Sequence, residues 1–164
     1  MPWFVIYTKS RSEKKVSIEL AERGIEAYCP TIKKVKQWSD RKRVIEQPLF
    51  NSYVFVHLDE RERAKVFGVT GFVRYLFWLQ KPAIVKDEEI EAIRHFLNDF
   101  DHASITVVPL QQREYIRIKS GVLMDRVAEV VSQQGKKVTL LLKELGFKVE
   151  IDLSETEVEK VIEN

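Results

Sequence analysis

The chain has 164 residues, of which 45% are hydrophobic and 32% charged, with a net charge of +2 and one cysteine. That length holds one large domain or two small ones, and the apolar fraction excludes a disordered chain at so small a net charge. A lone cysteine excludes an internal disulfide and an all-cysteine metal cluster and suits a reducing cytoplasm, and no apolar run approaches the roughly eighteen residues of a membrane span.

The opening sequence lacks a basic stretch followed by a long apolar run, so no secretory signal is expected. Residues 3–8 (WFVIYT) form an apolar, aromatic run of the length of a buried strand. Ser10 with Glu13 three residues on reads as a capping box, opening a helix over residues 12–23 with Val16 and Leu20 on one face. Gly24 stands where such a helix ends. Ile25, Ala27 and Cys29 alternate with polar positions in a second strand closed by Pro30, which makes Cys29 a small core residue.

Residues 32–37 and 44–47 flank a charged segment and predict a hairpin or long loop. Pro48 precedes a bend at Phe50-Asn51-Ser52-Tyr53 leading into a strong apolar strand. A short helix is expected over residues 59–67, a turn into a strand over 69–73, and a brief extended piece over 82–85. Asp87 caps a second helix, with Ile90, Ile93, Phe96 and Leu97 on one face. This order predicts an α+β sandwich over residues 1–100, and the altered composition before Pro109 predicts a linker over 101–110. Residues 111–164 read as a small β-barrel, with short strands at 115–118, 127–131, 137–142 and 147–153. The leucine-rich residues 138–145 also suit a helix, and Ser154 with Glu157 suits a terminal helical turn.

The net charge hides an uneven distribution. Residues 1–100 carry 18 Lys and Arg against 14 Asp and Glu, whereas residues 101–164 carry 9 against 11. Residues 33–43 (KKVKQWSDRKR) hold six cations and one acid, and Lys9, Arg11, Lys14 and Lys15 surround Glu13. Such local fields attract polyanions, although a solvated loop and a solvated helix face carry the same composition. Lys9, Arg11, Lys14 and Lys15, with Arg41, Lys42 and Arg43, are therefore the candidate nucleic-acid contacts.

Catalytic chemistry finds no constellation here. His57, His95 and His102 lack metal-ligand spacing, the six glycines are scattered singly, and Ser52 has no nucleophile-elbow context. No enzymatic activity, metal or cofactor is expected. Binding is better supported: Trp3, Phe4, Tyr7, Phe50, Tyr53 and Phe55 recur close to the basic residues 9–15, either as core or as an exposed aromatic patch.

Trp3-Phe4-Val5-Ile6-Tyr7, the following helix, Tyr28-Cys29-Pro30, and the Pro48 to Val56 segment together resemble the N-terminal domain of NusG-type transcription elongation factors. Val69-Thr70-Gly71-Phe72-Val73 and Pro82-Ala83-Ile84-Val85 continue the resemblance over about 95 residues, and the loop around Trp38 is more similar to the specialised RfaH and UpxY antiterminators. Phe50-Asn51-Ser52-Tyr53 stands where the family usually has Phe-Pro-Gly-Tyr, so the aromatic pair is kept and the Pro-Gly is not. Tyr115 to Gly121 resembles the opening of a KOW barrel, whose later glycines are replaced here by other residues.

The resemblance implies a transcription antitermination factor acting at specific operons. Tyr7, Phe50, Tyr53 and Phe55 would meet the clamp helices of the RNA polymerase β′ subunit. The residue 9–15 cluster would meet the non-template DNA strand, and the residue 33–43 segment polymerase or nucleic acid. The KOW-like domain would recruit a small-subunit ribosomal protein or a termination factor, or, in RfaH-like fashion, fold as a helical hairpin that masks the first domain. A cytoplasmic monomer without membrane contact is expected. The competing reading is an RNA-binding or ribosome-associated KOW-type module, which the slightly acidic second half disfavours.

Overall fold

A computed structural model describes residues 1–110, the backbone of 131–134, and residues 137–152. The chain falls into two compact units, one over residues 1–87 and one from residue 88 onward. The division falls at the start of the second helix.

In the first unit, β1 (Trp3–Thr8) is the central strand. It pairs antiparallel with β5 (Tyr53–His57) along one edge, and β2 (Glu26–Tyr28) pairs with the far side of β5. The other edge of β1 is shared. It holds β6 (Phe72–Tyr75) at the end nearest Thr8 and β9 (Ile84–Val85) at Trp3 and Phe4. Period-two alternation sends Phe4 and Ile6 to one face, with Val54 and Val56 opposite them on β5. Val16 and Leu20 of α1 (Glu13–Glu22) join these four in one buried cluster, together with Ile25, Leu58, Val66, Val69 and Tyr75.

Helix α1 begins two residues later than the capping-box reading required. Ser12 is its N-cap and makes no side-chain capping bond, and Glu13 turns inward to accept from the Ser52 N–H. Its C-terminus behaves as the sequence predicts. Gly24 has φ +79°, its N–H donates to the Ala21 carbonyl, and the Ile25 N–H donates to the Leu20 carbonyl. These two bonds form a Schellman motif, closed by the apolar pair Leu20 and Ile25. Gly71 is required for a different reason. Its φ is +96°, and a Cβ there would stand 3.0 Å from both Ser12 Cβ and Val16 Cγ2.

β3 (Thr31–Trp38) and β4 (Arg41–Pro48) form a two-stranded ribbon joined through Ser39 and Asp40. Of the hairpin and the long loop expected here, the hairpin forms, because the pairing runs without interruption to Trp38↔Arg41. The short helix expected over 59–67 is a 3-10 helix, Glu60–Val66. A second, very small ribbon pairs β7 (Phe77–Trp78) with β8 (Lys81–Pro82). Leu79 and Gln80 turn between them, both with positive φ.

The second unit contains most of α2 (Asp87–Asp99), a 3-10 turn (His102–Ser104) and an antiparallel sheet. The sheet order is β10 (Ile105–Pro109), β13 (Phe147–Asp152), β12 (Lys137–Leu142), β11 (Val131–Gln134). Residues 105–109, expected within a linker, pair with residues 147–151 of β13. Ile105, Thr106, Val107 and Val108 are β-branched, and Pro109 is tolerated because it ends a strand at the edge of the described sheet.

The helical alternative for residues 138–145 is not adopted. Residues 137–142 form a strand, and 143–146 form the turn into β13. Val138, Leu140 and Leu142 face inward with Val149 and Ile151, a period-two pattern that a helix would have scattered around its axis. Among the described residues this sheet is not closed into a barrel. The strand expected at 115–118, most of that at 127–131, and the turn at 154–162 lie outside the described residues.

Candidate interaction surface

On the face of the first sheet opposite Phe4 and Ile6, cross-strand pairing aligns side chains in rows. The row nearest the end of β1 is Arg74, Tyr7 and Tyr53, contributed by β6, β1 and β5. The Tyr53 hydroxyl donates to the Tyr7 hydroxyl at 3.1 Å, and the two ring centroids are 4.8 Å apart. The Arg74 guanidinium lies over the Tyr7 ring, 4.6 Å from its centroid. Both tyrosines are half-buried and Arg74 is exposed. The row thus presents two tilted rings and a fixed cation, a surface that couples apolar area with polar tips.

The next row is apolar. Phe55 opposes Val5 on one side and Tyr28 on the other, and its ring meets the edge of Phe50 at a centroid distance of 6.1 Å. Phe55 is 0% exposed and Phe50 2% exposed. Of the four aromatics expected to make one contact surface, Tyr7 and Tyr53 are therefore brought together at the surface, whereas Phe50 and Phe55 are packed inside. The reason lies in the alternation along β5: Phe55 is two residues from Tyr53, so it shares the same face but sits one row deeper. In the third row Trp3 stacks on His57 at 4.6 Å, and the His57 ring nitrogens stand 2.8 Å from Glu26 Oε1 and 2.7 Å from the Met1 carbonyl. His57 is thus held by its surroundings rather than presented for chemistry.

The bend that delivers Tyr53 is held by a residue the sequence reading treated only as a helix cap. Ser52 adopts φ +69°, a left-handed conformation that costs energy at a residue carrying a Cβ. Its carbonyl accepts from the Thr8 N–H at 2.9 Å, and its own N–H donates to Glu13 Oε2 at 2.7 Å. Glu13 is only 4% exposed. A buried carboxylate in the first turn of a helix is favoured by the helix dipole, and here it gains a charge-assisted bond as well. No local pattern distinguishes this Glu13 from a capping glutamate, so the contact across 39 positions was not visible beforehand. Arg74 carried no sequence signal either, since its partner is set by strand order.

The basic residues form two groups. Lys9, Arg11 and Lys15 are exposed around the start of α1. Lys14 is exposed too, but its ammonium is engaged by the ribbon: it donates to the Glu46 carbonyl at 3.2 Å and lies 3.7 Å from the Glu46 carboxylate. Arg41, Lys42 and Arg43 are exposed on β4. Cys29 is partly buried, and burial together with the nearby Glu13 carboxylate pushes its thiol up to about 11, so it is an unreactive thiol at neutral pH. Among the described residues, no three His, Cys, Asp or Glu side chains gather as a metal site would need, and no helix is long and apolar enough to cross a membrane.

The family model described as "Transcription termination factor nusG" matches residues 1–94, more than half of the chain, which takes in β1 to β9, α1 and the first part of α2 but none of β10 to β13. The chain belongs to the NusG family. This is a family of non-enzymatic transcription elongation and termination factors that interact with RNA polymerase. A solved structure described as "Domain interaction in Thermotoga maritima NusG" is similar over 94% of this chain and 94% of that chain, at 18% identity and a TM-score of 0.42. No curated protein matches the chain.

Proposed function

We propose that this NusG-family chain docks on the clamp helices of the RNA polymerase β′ subunit through the Tyr7, Tyr53 and Arg74 row, and that it acts as an operon-specific antiterminator of the RfaH/UpxY type. The observation that carries this reading is the tyrosine pair, joined hydroxyl to hydroxyl and capped by an exposed arginine. Paired aromatics beside a cation are the composition of a binding hot spot for a helix tip. Phe50 and Phe55 support the row from below and do not themselves touch the partner.

Lys9, Arg11 and Lys15, at the start of α1 directly after β1, reach the exposed non-template DNA strand. Holding polymerase and DNA together favours the closed clamp and disfavours pausing, which is a shift of populations rather than catalysis. The second unit, read as KOW-like, recruits a further partner such as a small-subunit ribosomal protein or a termination factor.

The test is co-purification of RNA polymerase with the full chain and with Tyr53→Ala. The variant is expected to retain its circular dichroism and lose at least about tenfold in affinity, the scale of one interface hot spot. Unchanged binding by Tyr53→Ala and by Tyr7→Ala would refute the assignment of this surface.

A further inference from the structure

The β3–β4 ribbon sorts the charges of residues 33–43 by face. Its ladder runs from Thr31↔Pro48 to Trp38↔Arg41 in one register, so opposed residues share a face and successive pairs alternate. One face carries Lys33, Val35 and Gln37 opposite Glu46, Val44 and Lys42. The other carries Lys34, Lys36 and Trp38 opposite Ile45, Arg43 and Arg41. The acid and the valine pair thus lie on the first face, while four cations and the tryptophan lie on the second.

Solubility alone does not require this segregation, because cations placed on either face protect a ribbon equally well. Segregation also carries a cost, since Lys36 directly faces Arg43 and like charges in that position repel. None of Lys34, Lys36, Arg41 and Arg43 makes an ion pair among the described residues. Trp38, beside the turn, is 52% exposed. Among the described residues the ribbon is a two-stranded sheet of its own, and eight residues give each strand a length of about 26 Å.

We propose that the Lys34, Lys36, Arg41, Arg43 and Trp38 face of this ribbon binds duplex DNA. A two-stranded ribbon has the width that the major groove admits, and cations on both strands are placed to meet phosphates while the face lies in it. Single strands are held instead by successive aromatic platforms, and this face has one aromatic residue. Lys42, adjacent in sequence to two of the contacts, points to the opposite face and takes no part. The proposal does not depend on the polymerase-docking reading, because it concerns the chain and free DNA alone.

The experiment measures fluorescence anisotropy of a labelled duplex of about two helical turns, and of its separated strands, titrated with the full chain at several salt concentrations. Lys36→Glu/Arg43→Glu is compared with Lys33→Glu/Lys42→Glu, which changes the net charge equally on the other face. The first pair is expected to weaken duplex binding at least about tenfold and to reduce the salt slope by about two, whereas the second changes affinity by less than about threefold. Equal losses would overturn the proposal, since the DNA would then sense only net charge. Tighter binding of the single strands than of the duplex, or no duplex binding by the wild-type chain at low salt, would overturn it as well. If a reversal pair disturbs thermal melting, the corresponding Gln pairs on each face repeat the comparison with the same criteria.

Discussion

Replacing Glu13 by alanine removes the acceptor for the Ser52 N–H. The lost bond is charge-assisted, 2.7 Å long and made by a side chain 4% exposed. Bonds of that kind contribute about 1.5–3 kcal/mol, and the N–H left behind is partly shielded from water. The left-handed conformation itself costs about 1–2 kcal/mol at a residue with a Cβ, so the bend at Ser52 relaxes once Glu13 no longer holds it. Tyr53 follows Ser52 directly, and its hydroxyl then leaves Tyr7.

Glu13→Ala is therefore expected to lose about 2 kcal/mol in urea unfolding and to bind polymerase more weakly even where it is fully folded. Glu13→Gln keeps an acceptor oxygen and should lose roughly half as much. Ser52→Gly removes the strain at φ +69° and should restore much of the polymerase binding of the Glu13→Ala chain. Because Glu13 also raises the Cys29 thiol, Glu13→Ala should bring Cys29 alkylation to a lower pH. A Glu13→Ala chain with unchanged stability, or a Ser52→Gly change that gives no recovery, would refute the clamp.

Two further expectations follow from other contacts. Gly71→Ala places a Cβ 3.0 Å from Val16 Cγ2 at φ +96°, so it should destabilise the first unit by about 1–3 kcal/mol, measurable as a lower urea midpoint. Stability should also fall at alkaline pH. Cys29 is raised to about 11, mainly by burial, and Tyr75 to about 12, mainly by burial. Both are neutral in the folded chain at pH values where the unfolded chain has already ionised. Their contribution is thus complete below about pH 9, diminishes as the unfolded groups ionise, and is lost by about pH 12. Chemical denaturation from pH 8 to 11 checks this, and Cys29→Ala should delay the onset of the decline.

The amino-acid sequence determined by itself whatever local periodicity and turn chemistry decide. β1, α1 with its Gly24 stop, β5, α2 and the β12–β13 pair all stand close to their predicted positions, because alternating or helical spacing of apolar residues leaves few other arrangements. Local rules failed where a neighbour distant in sequence prevailed. Glu13 gave up its cap to hold Ser52, and residues 105–109 became a strand only because β13 offers them a partner. The six aromatics could not be divided by spacing either, since residues on one face of a sheet differ only in which row lies deeper. Strand order put Arg74 over Tyr7, joined Tyr7 to Tyr53 and buried Phe55 behind them. The basic segment shows the same division of causes: its composition marked a cationic region, but only the register of β3 against β4 put Arg41 and Arg43 on one face with Lys34, Lys36 and Trp38. Side-chain identity is a property of the sequence. Which side chains share a face depends on the partner strand, and that is decided by the tertiary structure.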